Sequence, residues 1–197
     1  RLIEELRGHS CLELEMVEPV KKTICCSRSF AGEVKTKSEM TESIINHLST
    51  AAEKMRRQHL ITNAVSLFIE TNLFKAKGLY SNSVTVKVNP TDSTRELISL
   101  VMRMLDAIYK PGFGYRKSGV ILLGLQPATS ETKRLFDEDR YLRDKGLMAT
   151  FDAINCKHGR STVRFGMPAK HHKSWQMARN HLSPQYTTDI EQILRVR

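Results

Sequence analysis

Cations and hydroxyls alternate with small apolar residues along Lys22-Thr23-Ile24-Cys25-Cys26-Ser27-Arg28-Ser29-Phe30, shortly after Pro19. These are the groups that hold phosphates: Lys and Arg bring charge, Ser and Thr bring hydroxyls, and an extended backbone adds its N–H groups. Successive side chains of a strand point to opposite faces, so one face of such a segment can be offered to a polyanion. A second basic cluster, Arg116-Lys117-Ser118, opens the apolar run to Leu123, and Lys87 lies in the alternating stretch Ser83–Asn89. Contact with a nucleic-acid backbone is the chemistry these residues suit.

Groups for catalysis do not assemble in the sequence. Phosphoryl transfer on divalent metals needs paired carboxylates in fixed geometry. The tightest acidic cluster, Asp137-Glu138-Asp139, follows Phe136 in a polar loop and reads as a solvated patch. Lys110-Pro111-Gly112-Phe113-Gly114-Tyr115 lacks the Lys-Ser/Thr ending of a phosphate-binding loop. Ser27 and Ser29 have no His or Asp close in sequence to activate them. Cys11, Cys25, Cys26 and Cys156 form no C-x-x-C pair, and His158, His171 and His172 are not at zinc-ligand spacing from them. The cysteines read as reduced thiols in small apolar sites. No enzymatic site, metal or other cofactor is expected in this chain.

The 197 residues include 31 Lys and Arg against 21 Asp and Glu, a net charge of +10. Such an excess favours an acidic partner, nucleic acid first and an anionic membrane second. A hydrophobic content of 40% supports a packed core. No apolar run reaches the length of a membrane span, and no secretory signal opens the chain. The start at Arg1, without Met, is expected of a fragment.

Residues 1–19 read as a linker with an extended stretch. After the first strand, Ala31-Gly32 permit a turn. Ser38 is placed to cap a helix with Glu39 and Glu42 in its first turn and Ile44, Ile45, Leu48, Ala51, Ala52 and Met55 on one face. Ala64–Thr71 reads as a buried strand with two apolar faces. Ser83–Asn89 alternates Val84, Val86 and Val88 against Ser83, Thr85, Lys87 and Asn89, so one side is buried and one is wet. Ser93-Thr94-Arg95-Glu96 is a capping box for a helix with Leu97, Val101, Leu105 and Ile108 inward, stopped by Pro111-Gly112. Arg116–Leu123 is the last strand.

The order β-α-β-β-α-β over residues 20–125 predicts an α+β fold: a four-stranded antiparallel sheet with two helices covering one face. The uncovered face would carry Thr85, Lys87 and Lys117. With Val120 and Leu122 toward the helices, period two sends Lys117, Gly119 and Ile121 outward. The missing side chain at Gly119 would let a phosphate approach the strand. Phe30 and Phe68 read as core residues, which favours phosphate contact over the base stacking of RNA-binding sheets. Beyond this unit come a polar loop from Gln126 to Glu138 and a short helix over Gly146–Lys157 using Leu147, Met148, Phe151 and Ile154. A short strand is expected at Arg160–Phe165, followed by a basic, irregular end.

With these segments in order, the chain resembles the C-terminal half of the UmuC branch of the Y-family translesion DNA polymerases, a branch with plasmid-borne members such as MucB and RumB. The shared motifs include Leu6-Arg7-Gly8 with Cys11-Leu12, Cys26-Ser27-Arg28-Ser29-Phe30, Ala51-Ala52-Glu53-Lys54-Met55-Arg56 and Leu105-Asp106-Ala107-Ile108-Tyr109. They continue through Tyr115-Arg116-Lys117-Ser118-Gly119-Val120, Leu135-Phe136-Asp137, Trp175-Gln176-Met177 and Leu182-Ser183-Pro184-Gln185-Tyr186-Thr187-Thr188, the last two specific to the branch.

The resemblance implies a division of labour. The polymerase's catalytic carboxylates and their Mg2+ would lie in a palm that precedes this chain, so the fragment would not polymerise although its parent would be a DNA-directed DNA polymerase. Residues 1–19 would be the end of the thumb and a linker, and residues 20–125 the little finger, lying in the major groove of primer–template DNA. Residues 126–140 would be a loop with a clamp-binding-like motif, and residues 141–197 a small α/β C-terminal region. By the same resemblance, that tail would bind the UmuD′ dimer and the RecA filament in SOS mutagenesis and DNA repair, in the bacterial cytoplasm. Position by position, the resemblance makes Thr23, Ser27, Arg28, Ser29, Arg116, Lys117 and Ser118 DNA contacts; Lys87 joins them from its place on the wet face.

Trp175, Tyr186, Thr187 and Thr188 become partner contacts, although for Trp175 a strap that covers a small core is an equal alternative. The family's β sliding clamp motif is Gln, two spacers, then Leu-Phe. Here Thr132 stands where Gln is expected, ahead of Leu135 and Phe136, so only weak clamp contact is implied.

Three functions are open at this point: a DNA-gripping part of a translesion polymerase, a protein-docking module with little DNA affinity of its own, and a free-standing RNA-binding domain.

Overall fold

Helix caps and strand alternation set the architecture of residues 21–128. The computed structural model describes residues 1–12, 21–72, 79–128, 138–159, 161–166, 175, 182–187 and 190–193, with 138–142 by backbone alone. The elements are α1 (Leu2–Leu6), β1 (Thr23–Val34), α2 (Lys37–Arg57), β2 (Leu60–Thr71), β3 (Ser81–Thr91), α3 (Thr94–Ile108), β4 (Tyr115–Leu123), β5 (Gln126–Pro127) and α4 (Glu138–His158), with a 3-10 turn at Ile190–Gln192. The sheet order is β1-β4-β2-β3, every pair antiparallel, and β5 adds a short pairing to the start of β2. Helices α2 and α3 pack side by side on one face of this sheet. The anticipated βαββαβ layout is therefore the observed one.

The core lies between the helices and the sheet. From α2 it takes Met40, Ile44, Leu48, Ala51, Ala52 and Met55, and from α3 Leu97, Val101, Met104, Leu105 and Ile108. Against them the sheet sets Val65, Leu67 and Ile69 of β2, Val120 and Leu122 of β4, and Ile24, Cys26 and Phe30 of β1. The odd-numbered residues of β2 thus face the helices. Its even-numbered Ala64, Ser66, Phe68 and Glu70 face the other way, which resolves a strand that reads as apolar on both sides.

Several boundaries differ from the sequence expectation. The cap of α2 is Thr36, not Ser38: its hydroxyl accepts from the Glu39 N–H at 3.3 Å and donates to the Glu39 carboxylate at 2.7 Å. That reciprocal pair needs a spacing of three, which Thr36–Glu39 provides and Ser38–Glu42 does not. β1 does not turn at Ala31-Gly32 but runs to Val34 through a bulge, regaining its partner at Val34–Tyr115. The segment 161–165 is a turn instead of a strand, because the Asn155 amide occupies both backbone groups of Val163, accepting from its N–H at 2.9 Å and donating to its carbonyl at 3.0 Å. Glu138 and Asp139 open α4 instead of lying in a loop; Asp137 is outside the described residues.

Helix α4 is longer than Gly146–Lys157 and is docked on the two-helix layer through Arg56. The Arg56 guanidinium grips Asp152 of α4 at 2.7 and 2.8 Å while its third nitrogen donates to the Asp92 carbonyl at 2.9 Å and the Thr94 hydroxyl at 2.7 Å. Nearby, Ser93 donates to Asp144 at 3.2 Å, and Arg95 pairs with the same carboxylate. Of the four thiols only Cys26 is buried; Cys11, Cys25 and Cys156 are exposed, so the apolar-site expectation holds for one of them.

Candidate nucleic-acid interface

The sheet face opposite the helices is built of four cross-strand rows, read in the order β1, β4, β2, β3. They are Thr23–Leu123–Ala64–Lys87, Cys25–Ile121–Ser66–Thr85, Ser27–Gly119–Phe68–Ser83 and Ser29–Lys117–Glu70–Ser81. Hydroxyls dominate the two outer strands. Cations stand at opposite ends, Lys87 in the first row and Lys117 in the last.

Thr23, Ser27, Ser29, Lys87 and Lys117 therefore share this face, as the alternation requires. Thr23, Ser29 and Lys87 are exposed and Ser27 is half-buried. Lys117 lies 3.6 Å from Glu70 and its ammonium is 5.4 Å from the centre of the Phe68 ring. Both contacts hold the ammonium over the sheet.

Ser118 and Arg28 do not lie on that face. Their parity puts them opposite each other on the helix side. Ser118 is fully buried, its hydroxyl 3.2 Å from Ser43 and 3.3 Å from His47 Nδ1, and it has no path to a phosphate. Arg28 shares the helix side but remains exposed because β1 is an edge strand. Arg116 sits at the rim, where it donates to the Ala31 carbonyl at 2.7 Å across the β1 bulge.

The space above Gly119 is not open to a phosphate. A Cβ there would overlap the Phe68 ring and the Cβ of Ser27, so the ring already occupies it. Phe68 is thus a half-buried aromatic on the uncovered face and not a core residue, whereas Phe30 is in the core. The sequence signal for this niche was the glycine inside a strand. Its partner was concealed because β2 shows no alternation.

Arg28 leads to a second surface. Its charge and, more strongly, burial hold His47 down to about 4, so the imidazole is neutral near pH 7. Burial raises the Cys26 thiol, against the opposing pull of Lys54, whose ammonium is 3.7 Å from the sulfur. Trp175 is buried beside them, its ring 6.5 Å from that of His47 and its N–H 3.5 Å from the Glu42 carboxylate. This indole covers the core, so its burial favours the strap over the partner anchor. Tyr186 and Thr187 are exposed, whereas Thr188 lies outside the described residues. So do Thr132, Leu135 and Phe136. Among the described residues no three His, Cys, Asp or Glu side chains gather as a metal site, and no helix is long and apolar enough to cross a membrane.

Residues 21–135, more than half of the chain, match the impB/mucB/samB family C-terminal domain, and residues 145–196 match a domain of unknown function (DUF4113). The chain is similar to Protein UmuC of Salmonella typhimurium, with 36% identity over 200 residues covering 100% of this chain and 47% of that protein. It is similar to Protein ImpB of Salmonella typhimurium, with 35% identity over 95% of this chain and 45% of the relative. Protein MucB of Escherichia coli matches at 30% identity over 98% of this chain and 46% of the relative. The chain spans about half the length of the curated relatives it matches. Among solved structures it is similar to a complex of beta-clamp processivity factor and little finger domain of PolIV, at 16% identity and a TM-score of 0.39, covering 58% of this chain and 98% of the other.

Proposed function

The chain belongs to the impB/mucB/samB family, and from that premise we propose that it grips the backbone of primer–template DNA as the non-catalytic C-terminal half of a translesion DNA polymerase acting in SOS mutagenesis. The observation that carries this reading is the uncovered sheet face, with Lys87 and Lys117 at its two ends and hydroxyls of Thr23, Ser27, Ser29, Ser83 and Thr85 between them. A face of this kind makes contacts that position a duplex and carry no sequence information. Catalysis and its Mg2+ belong to the part of the polymerase that this chain does not include.

The region after residue 141 is assigned to docking of the UmuD′ dimer and the RecA filament, with exposed Tyr186 as the aromatic anchor. Leu135 and Phe136 are assigned to a weak contact with the β sliding clamp, weakened because the Thr132 hydroxyl cannot reproduce the hydrogen bonds of a glutamine amide.

Titration of the chain with labelled primer–template duplex and with structured RNA, at several salt concentrations, tests the DNA assignment. Duplex binding without sequence preference, weakening steeply with salt, is the expected result. Salt-independent binding, or a strong preference for one sequence, overturns backbone recognition. Tighter binding of structured RNA favours the RNA-binding alternative.

A further inference from the structure

A groove of about 460 Å³ runs along the β1 edge, between α2 on one side and the C-terminal region on the other. Three acids line it, and each is engaged: Glu53 by Arg57 at 2.7 Å, Asp152 by Arg56, and Glu42 by the Trp175 N–H. Arg28, Lys54 and Arg164 also line it, all exposed, and have no carboxylate partner among the described residues. A neutral N–H leaves the Glu42 charge in place, so three acids stand against five cations, Arg28, Lys54, Arg56, Arg57 and Arg164, and the groove remains cationic.

Two further observations point to what it takes. Phe151 and Phe165 line the groove and stack on each other with centroids 4.7 Å apart and planes 13° from parallel. His47 lines it too, and its buried Nε2 finds no hydrogen-bond partner among the described residues. A row of cations beside aromatic faces, with a spare polar group at the floor, is how single-stranded nucleic acid is held: phosphates on the cations, bases on the rings. A cavity of this size admits a group the size of a small ligand and excludes a duplex. Cys25 and Ser27, which belong to the uncovered sheet face, also border the groove. One strand can thus pass around the β1 edge from one surface to the other.

We propose that this groove is a second nucleic-acid site, selective for a single strand, in which Arg28, Lys54 and Arg164 hold phosphates and the Phe151–Phe165 pair receives a base. It adjoins the sheet face at Cys25 and Ser27, but the cations and rings it uses are not those of that face, so either site can fail without the other.

The test is fluorescence anisotropy of the whole chain with a short labelled oligothymidylate and, separately, a labelled duplex. Lys54 and Arg164 are exposed, so replacing them should leave the fold intact, which a thermal melt checks. The Lys54→Ala/Arg164→Ala variant should bind the single strand roughly tenfold more weakly, with its salt slope reduced by about 1.4. Duplex affinity should stay unchanged. Phe165→Ala should cost the single strand at least about fivefold. Lys87→Glu should show the reverse pattern, losing duplex and keeping single strand. The proposal is overturned if the folded double variant keeps its single-strand affinity, or loses duplex and single strand equally. It is also overturned if polyglutamate binds more tightly than the oligothymidylate and loses that binding in the double variant, since the groove is then an acidic-peptide site.

Discussion

The Phe68 ring lies across Gly119, on the neighbouring strand and on the sheet face opposite α2 and α3. A side chain at 119 would have to share that space. Gly119→Ala should therefore destabilise the fold by about 1–3 kcal/mol, as overpacking does. Phe68→Ala in the same chain should recover most of the loss, since it empties the niche. Urea denaturation of the two single variants and the double variant measures the coupling. Additive losses would mean that the ring and the glycine do not compete for the same volume.

Lys117 and Lys87 mark the two ends of the same face, and Arg116 sits at its rim. Roughly three phosphates should be neutralised there, giving a slope of log K against log salt near −2.7. Lys117→Glu removes one attraction and sets a new carboxylate beside Glu70. Duplex affinity should fall about tenfold at low salt, and the slope should become shallower by about 0.9 or more. The pair with Glu70 is half-exposed and contributes little to stability, so the melting temperature should hardly move. Unchanged affinity in a folded Lys117→Glu chain would place the DNA on another surface.

His47 ties stability to pH. Its folded value is about 4 against an ordinary 6.5, chiefly because it is buried and secondarily because Arg28 is near. The folded state thus resists a proton that the unfolded chain accepts. The stabilising contribution is full above pH 6.5 and is lost as the pH falls from there toward 4, about 3 kcal/mol in all and about 2 kcal/mol of it by pH 5. His47→Gln keeps a polar group for Ser118 and removes the titration. Denaturation at pH 7 and pH 5 should show a clearly smaller loss in the variant than in the native chain. Equal losses in both would assign the acid sensitivity to carboxylates.

Element type was legible wherever one local rule decided it. The Val84-Val86-Val88 alternation marked β3, and the Ser93–Glu96 box marked the start of α3. What escaped depended on pairing. Ser118 follows Lys117 directly and looks equally available, yet β4 is a central strand buried on its helix side, so consecutive residues have opposite fates. Phe68 looked like core because β2 carries apolar residues on both faces, and only its register with Gly119 shows which face the ring takes. The Arg56–Asp152 fork joins residues far apart in sequence, in a motif that reads only as a basic helix end.

That fork should control how firmly α4 is held. Arg56 is nearly buried and satisfies three separate groups, so Arg56→Ala leaves a carboxylate, a carbonyl and a hydroxyl short of a donor. A loss of about 3 kcal/mol is expected. Arg56→Lys should restore little, because an ammonium cannot form the two-pronged contact. Hydrogen exchange over residues 138–158 should rise in Arg56→Ala while the protection of β2 and β4 is retained. Uniform loss of protection across the whole chain would instead make the fork a part of the global core.

The two aromatics of the tail should separate stability from docking. Trp175 is 4% exposed and closes the core beside His47, whereas Tyr186 is 42% exposed in a turn after Pro184. Trp175→Ala should therefore cost about 3–5 kcal/mol, the usual penalty for emptying a large buried site. Tyr186→Ala should move the melting temperature far less, since that ring is exposed and not part of the buried core. If the tail is the docking element, Tyr186→Ala weakens capture of the UmuD′ dimer or the RecA filament, because exposed aromatics are frequent anchors once covered by a partner. Truncation after Ala169 is a blunter probe, as it removes Trp175 along with Tyr186 and lowers stability for reasons unrelated to docking. Calorimetric titration of each partner into the Tyr186→Ala chain decides the matter. Full-strength binding of both partners by that folded variant would remove Tyr186 from the docking surface.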